Sequence, residues 1–320
     1  METARHHGLF AGHAWYVPGV KGMFGLFGWL LLGVLLSILV EEVFGLFLPE
    51  QTIQDYGDIV TYPIGFLPAI LYASKRSRKN KLFLAGYAPD SRHFEPYGFG
   101  KLILLTVLMT LASMMVLDLF SYWNMQLTNR SSLMAAFYDM IMEELKEKIG
   151  GPFLPAFLSV AILPPIFEEW MCRGMVLRGL LTRMKPFWAI LISALFFSFL
   201  HLNPWQGIEA LLIGLVMGYV YYKTGSLLLT IIIHFVNNAL SVIMAHLDCL
   251  KDCQDLYWVE IMGKQVYAIV FIVSCIILVA CLWAFSRIKV DNPWGNIDRF
   301  SPVVENAEPA SSTTPDEDRI

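Results

Sequence analysis

The sequence predicts an all-α fold: a polytopic transmembrane helical bundle of about eight spans. Three observations carry this. Apolar residues make up 56% of the 320 residues and charged ones 16%, with a mean hydropathy of +0.56, whereas a soluble domain carries about a quarter charged residues. Apolar runs of about twenty residues, the length a bilayer crossing needs, recur along the chain. Basic residues gather in alternate loops, as they do on the cytoplasmic side of membrane proteins.

The runs fall at 22–48, 58–74, 100–123, 153–181, 186–202, 207–222, 226–247 and 266–285. The first far exceeds a signal-peptide core and lacks a small-residue cleavage site, so it reads as an uncleaved anchor. The second is the weakest, short and interrupted by Pro63 and Pro68. Gly214 and Gly218 in the sixth have GxxxG spacing, which ordinary close helix packing explains. Lys75, Arg76, Arg78, Lys79 and Lys81 place the loop after the second span inside. Alternation then puts Arg178, Arg183 and Lys185, next Lys223, and finally Arg287 and Lys289 inside as well.

An acidic loop with Glu41, Glu42, Glu50, Asp55 and Asp58 falls outside. So does 131–149, where Leu133, Phe137, Met140, Ile141 and Leu145 recur at helical spacing and predict a helix lying on the membrane surface. The protein is thus expected to be multi-pass, in a bacterial inner membrane, with both termini cytoplasmic. Its expected divisions are a cytoplasmic segment 1–21, transmembrane helices and loops over 22–150, a transmembrane core over 151–290, and a tail over 291–320 whose Pro, Ser, Thr, Asp and Glu cannot bury a core.

Composition narrows the function classes. A net charge of −4, with no basic patch beside aromatic or glycine-rich readout elements, gives a nucleic-acid partner no footing. Cys172, Cys249, Cys253, Cys275 and Cys281 lack paired CxxC spacing, so neither a zinc site nor a disulfide scaffold is indicated. Cys249 and Cys253, four apart in an outside loop, fit disulfide geometry poorly and are expected as free thiols. No internal repeat supports an inverted-repeat transporter.

The chemistry concentrates in 162–183, where two adjacent carboxylates interrupt an apolar, helix-length stretch. A charge at membrane depth costs several kcal/mol unless it is paired or lines a polar cavity. Glu169 and Arg173 are four apart and share a face, which makes them a structural pair. Glu168 projects about 100° away, with Cys172 as its fourth neighbour, and is left free for chemistry. Pro164 and Pro165 free carbonyls one turn earlier, either opening a wet pocket or simply kinking a packing helix.

Two further polar insertions follow: Phe197 with His201, and His234 with Asn238, each pair four apart. A lone histidine in a bundle is usually just hydrogen-bonded to a neighbour. Three polar sites on three segments are better explained by convergence on one wet cavity, which offsets their desolvation. A carboxylate with no fixed cation, beside an imidazole, can hold a water and remove its proton. A second imidazole and an Asn amide aimed at one point stabilise an oxyanion. Asn237, three from His234, competes with Asn238 for that role. Cys172 and Ser198 have no obvious base at helical spacing. Asp118, His246, Glu41 and Glu42 lie near span ends, where snorkelling accounts for them.

EEWMCR at 168–173 fits EExxxR, FSFLH at 197–201 fits FxxxH, and HFVNN at 234–238 fits HxxxN. In this order the chain resembles the CPBP (ABI) family of intramembrane proteases, which includes type II CAAX prenyl endopeptidases and bacteriocin-processing or self-immunity proteins. Each motif alone is weak; the ordered trio is specific, over about the middle quarter of the chain.

The resemblance implies a helical bundle whose cavity opens towards the cytosol. Within it, Glu168 and His201 would activate water, His234 and Asn238 would form the oxyanion hole, and Glu169 and Arg173 would support them. The implied activity is endopeptidase cleavage of a peptide or membrane-protein substrate at the bilayer. Glu168, Glu169, His201 and His234 could in principle furnish a zinc site, as in a metallopeptidase, but HExxH is absent and a Glu beside an Arg is a poor ligand. The expectation is therefore metal-free hydrolysis with no cofactor. Two other classes remain: a non-catalytic self-immunity or scaffold protein, whose phenotype would survive site substitutions, and a transporter, which would show proton-coupled uptake. No residue outside the motifs selects a prenylated peptide, a leader peptide or another substrate.

Overall fold

A computed structural model describes residues 18–76, 94–181, 183–248 and 257–290, all helix and loop with no strand among them. Arg78, Lys79, Lys81, Cys249, Cys253, the first seventeen residues and the 291–320 tail lie outside the described residues. Ten helices organise the rest of the described chain: α1 (Val20–Gly45), α2 (Glu50–Arg76), α3 (Phe99–Thr128), α4 (Ser132–Gly150), α5 (Phe153–Leu181), α6 (Pro186–Leu200), α7 (Pro204–Thr224), α8 (Leu227–His246), α9 (Trp258–Met262) and α10 (Lys264–Ser286).

Five of them, α1, α3, α5, α8 and α10, are long and apolar enough to cross a membrane. This is an integral membrane protein. The other three expected spans are helices that fall short of that measure. With 15 residues, α6 reaches only about 22 Å at 1.5 Å per residue, and polar side chains dilute α2 and α7. Ile269, Ile272, Ile276 and Val279 of α10 face outward, as a helix in lipid requires.

Two expectations about the N-terminal half are corrected. The acidic residues do not form a loop: Glu41 and Glu42 belong to the end of α1, and Glu50, Asp55 and Asp58 to the start of α2. Nor do the prolines interrupt the second span, since α2 runs unbroken through Pro63 and Pro68 for 27 residues. Packing against α1 outweighs the local proline penalty of about 3 kcal/mol. The two backbones nearly touch at Gly33, where an added Cβ would run into the Gly65 carbonyl oxygen. Beside this contact, Ser37 Oγ donates to the Thr61 carbonyl at 2.7 Å.

Gly33→Ala is therefore expected to push α1 off α2 and destabilise the fold by about 1–3 kcal/mol. Gly28→Ala, with nothing within 4 Å of the new methyl, should leave Tm unchanged; thermal unfolding in detergent reads both. Residues 131–149 do form a helix, α4, capped by Ser131 and with no residue buried.

At the centre lies α5. It is α-helical over Leu163–Glu169 and widens to π-helix on either side, over Phe157–Ile162 and Trp170–Leu177. Every side chain of that second π stretch is buried. Met217 of α7, Ile233 of α8 and Phe285 of α10 join the same core.

Candidate active site

The prolines of α5 begin the site. The Val160 carbonyl would take the N–H of residue 164 in an α-helix or of residue 165 in a π-helix, and both are proline. Asn238 of α8 fills the vacancy, its Nδ2 donating to Val160 O at 2.9 Å. Its Oδ1 then accepts from Asn237 Nδ2 at 3.2 Å. Because a carbonyl only accepts, Val160 fixes which way the Asn238 amide points and leaves it a second N–H hydrogen.

Behind the cavity wall sits a fully buried ion pair. Glu169 Oε1 accepts from Arg173 Nη1 at 2.6 Å and lies 3.2 Å from His234 Nδ1. The guanidinium also donates to Gly214 O at 3.1 Å and lies 4.5 Å over the Phe197 ring. That approach needs a glycine at 214, since a Cβ there would stand 3.2 Å from Ala194 Cβ and 3.4 Å from Arg173 Nη2. Phe197 in turn meets His201 and His234 edge-on, at 5.0 and 5.5 Å between ring centroids. One phenyl ring thus joins the side chains of α5, α6 and α8.

The other carboxylate faces the cavity. Glu168 Oε1 accepts from Tyr62 Oη of α2 at 2.5 Å. Its Oε2 is buried and has no hydrogen-bond partner among the described residues. His201 caps the C-terminus of α6, with Nδ1 3.0 Å from Phe197 O. The chain then turns through Leu202, held at φ 50° in the left-handed region, before Asn203 caps α7 by accepting from Trp205 N at 3.0 Å.

Glu168, His201, His234, Asn237 and Asn238 all line one cavity of about 490 Å³, within the range of small-molecule and peptide sites. Glu169 and Arg173 stand behind it. Among the described residues Glu168 and His201 share no direct hydrogen bond, although they share the cavity. Neither Cys172, fully buried, nor Ser198, whose Oγ donates to Gly207 O at 2.6 Å, lies on the cavity wall. Among the described residues no three of the His, Cys, Asp and Glu side chains are grouped to hold a metal ion, and Glu169 is already occupied by Arg173.

Sequence reasoning missed Tyr62 and Glu209 as wall residues and misplaced Asp118 and His246. Tyr62 could have been noticed as a phenol in an apolar run, since a buried tyrosine hydroxyl usually finds a partner, but which partner was not readable. Asp118 does not snorkel: it lines the cavity and accepts from Trp258 N at 3.3 Å. Glu209, hydrogen-bonded to Ser121, lines the same end. His246 also does not snorkel, but bridges α8 to the turn between α4 and α5 through Gly151 O at 2.8 Å. Nearby, burial and a hydrogen bond to Tyr138 raise the Tyr257 phenol well above its usual value, keeping it a neutral wall group.

Residues 150–240 match the family model described as Type II CAAX prenyl endopeptidase Rce1-like. The chain therefore carries an Rce1-like domain, in agreement with the family its three motifs resemble. No curated protein and no solved structure matches the chain.

Proposed function

We propose that the chain is an intramembrane endopeptidase that hydrolyses a peptide bond with water activated by Glu168 and His201. The observation that carries this is the free, buried Oε2 of Glu168 on a cavity wall shared with His201. The Rce1-like match supports the class of reaction. Proton positions support the division of labour. His201 Nδ1 faces a carbonyl, so it carries the hydrogen, and the neutral ring presents Nε2 as a lone pair. Water held between that lone pair and Glu168 attacks the peptide carbonyl, its proton passes to the carboxylate, and the same proton leaves with the amine when the C–N bond breaks.

The oxyanion is received by His234 and the Asn pair. His234 Nδ1 faces Glu169, so Nε2 donates when the ring carries both protons, the form whose charge faces that carboxylate. Asn238 contributes its second amide hydrogen, and Asn237 is the alternative donor on the same wall. The catalytic core over 151–290 is incomplete without α2, which supplies Tyr62.

The test is cleavage of a transmembrane reporter peptide by purified protein in proteoliposomes. His201→Ala and His234→Ala are each expected to lower kcat about 10²–10⁴-fold. No cleavage by the unaltered protein would favour the self-immunity or scaffold alternative.

Tyr62→Phe gives a finer test. The ring keeps its packing on Phe66 and Phe167, at 5.4 and 6.2 Å between centroids. The lost hydrogen bond to a charged group, worth about 1.5–3 kcal/mol, should cost roughly 10- to 100-fold in kcat with KM unchanged. An unchanged kcat would reduce Tyr62 to packing.

A further inference from the structure

The helices around the cavity all present the same ends to it. Its lining runs from mid-helix residues, Glu168 of α5, Met217 of α7 and His234 of α8, to the C-terminal half of α3, the first half of α2, the start of α5, the end of α6 at His201, the start of α7 at Trp205 and the last half of α8. Crosslinks tie these ends together: Lys148 pairs with Asp58 at 2.5 Å, Tyr138 with Tyr257 at 3.2 Å, and His246 with Gly151 O at 2.8 Å. The opposite ends converge likewise, with Arg183 donating to Pro18 O at 3.2 Å and Lys223 to Ser286 O at 3.1 Å.

Charge divides the two ends. Lys75, Arg76, Arg183, Lys185, Lys223 and Arg287 stand at the end remote from the cavity. Around the cavity end are Glu41, Glu42, Glu50, Asp55 and Asp58, and α4 adds Glu143, Glu144 and Glu147. Lysines and arginines flanking spans stay on the cytoplasmic side. A mouth towards the cytosol, which the family resemblance implies, would need every one of those basic clusters to be translocated.

We infer that the cavity opens on the extracytoplasmic face and that its substrate is an internal peptide segment presented from that side, not a cytosolic C-terminal tail. The substrate half of this rests on the endopeptidase reading; the orientation does not. The cavity wall agrees independently. Among the described residues its one Lys or Arg, Lys148, is paired with Asp58, while Asp118, Glu168 and Glu209 line it. A free C-terminal carboxylate would enter among like charges, whereas an internal or basic segment would not.

The test uses single exposed cysteines in a Cys249→Ser, Cys253→Ser background. Glu144→Cys lies on α4 and Lys75→Cys at the end of α2, both exposed. With a membrane-impermeant maleimide, Glu144→Cys should label in intact cells as fully as after permeabilisation, and Lys75→Cys at least tenfold more after it. The reverse pattern, or equal labelling of both in intact cells, overturns the inference. Lys146→Cys and Lys289→Cys repeat the test should either first variant fail to insert.

A reporter with its cleavable segment on one side or the other reads the substrate half. Cleavage on the extracytoplasmic side is expected, and cleavage only on the cytoplasmic side contradicts it. Labelling does not depend on catalysis, so failure of the orientation and failure of the endopeptidase reading remain separate results.

Discussion

Glu168→Gln is expected to lower kcat about 10²–10⁴-fold, the scale of a lost general base, with Tm unchanged. The substitution is close to isosteric and keeps an oxygen to accept from Tyr62 Oη, so the wall of the cavity survives. What it removes is the charge on a carboxylate whose Oε2 lies on the cavity wall with no hydrogen-bond partner among the described residues. The contrast with the adjacent residue matters. Both glutamates sit in an apolar helix, yet only Glu169 has its charge balanced by a guanidinium. A Glu168→Gln protein that cleaves at an undiminished rate would end the water-activation mechanism.

The second large effect is on stability. Arg173→Ala should destabilise the protein by about 3–5 kcal/mol, because removing one partner strands the other charge in the interior. Glu169 would keep only His234, and Phe197 would lose the cation over its ring. The double variant Glu169→Leu, Arg173→Met fills similar volume without charge and should recover most of that Tm, as apolar replacements of buried pairs often do. It should not recover activity, since the Nδ1 of His234 would have lost its acceptor. Recovery of both would mean that the pair serves packing alone.

Much of this was readable from the sequence where the cause is local. The closure of Glu169 on Arg173 follows from four-residue spacing, and it survives although the helix widens to π directly after Glu169. That Pro164 and Pro165 leave a carbonyl unserved was likewise local; that Asn238 serves it, from 78 positions away, was not. Tyr62 is 106 positions from Glu168, and no periodicity links them.

Apolar runs also misplace helix ends, because polar residues that continue a helix do not continue the run: the second run begins at Asp58, whereas α2 begins at Glu50. This is why Glu50 and Asp55 read as a loop, whereas Glu41, Glu42 and Asp58 join it by charge alone. The prolines of α2 were overvalued for a related reason, since local propensity cannot anticipate the backbone contact at Gly33.

The most direct measurement is kcat for Glu168→Gln, His201→Ala and the double variant in the reporter assay. If the two side chains hold one water, the second substitution has nothing left to remove, and the double variant should be no slower than the slower single. Losses that multiply instead would mean that Glu168 and His201 act on separate steps, and would contradict a shared water in this cavity.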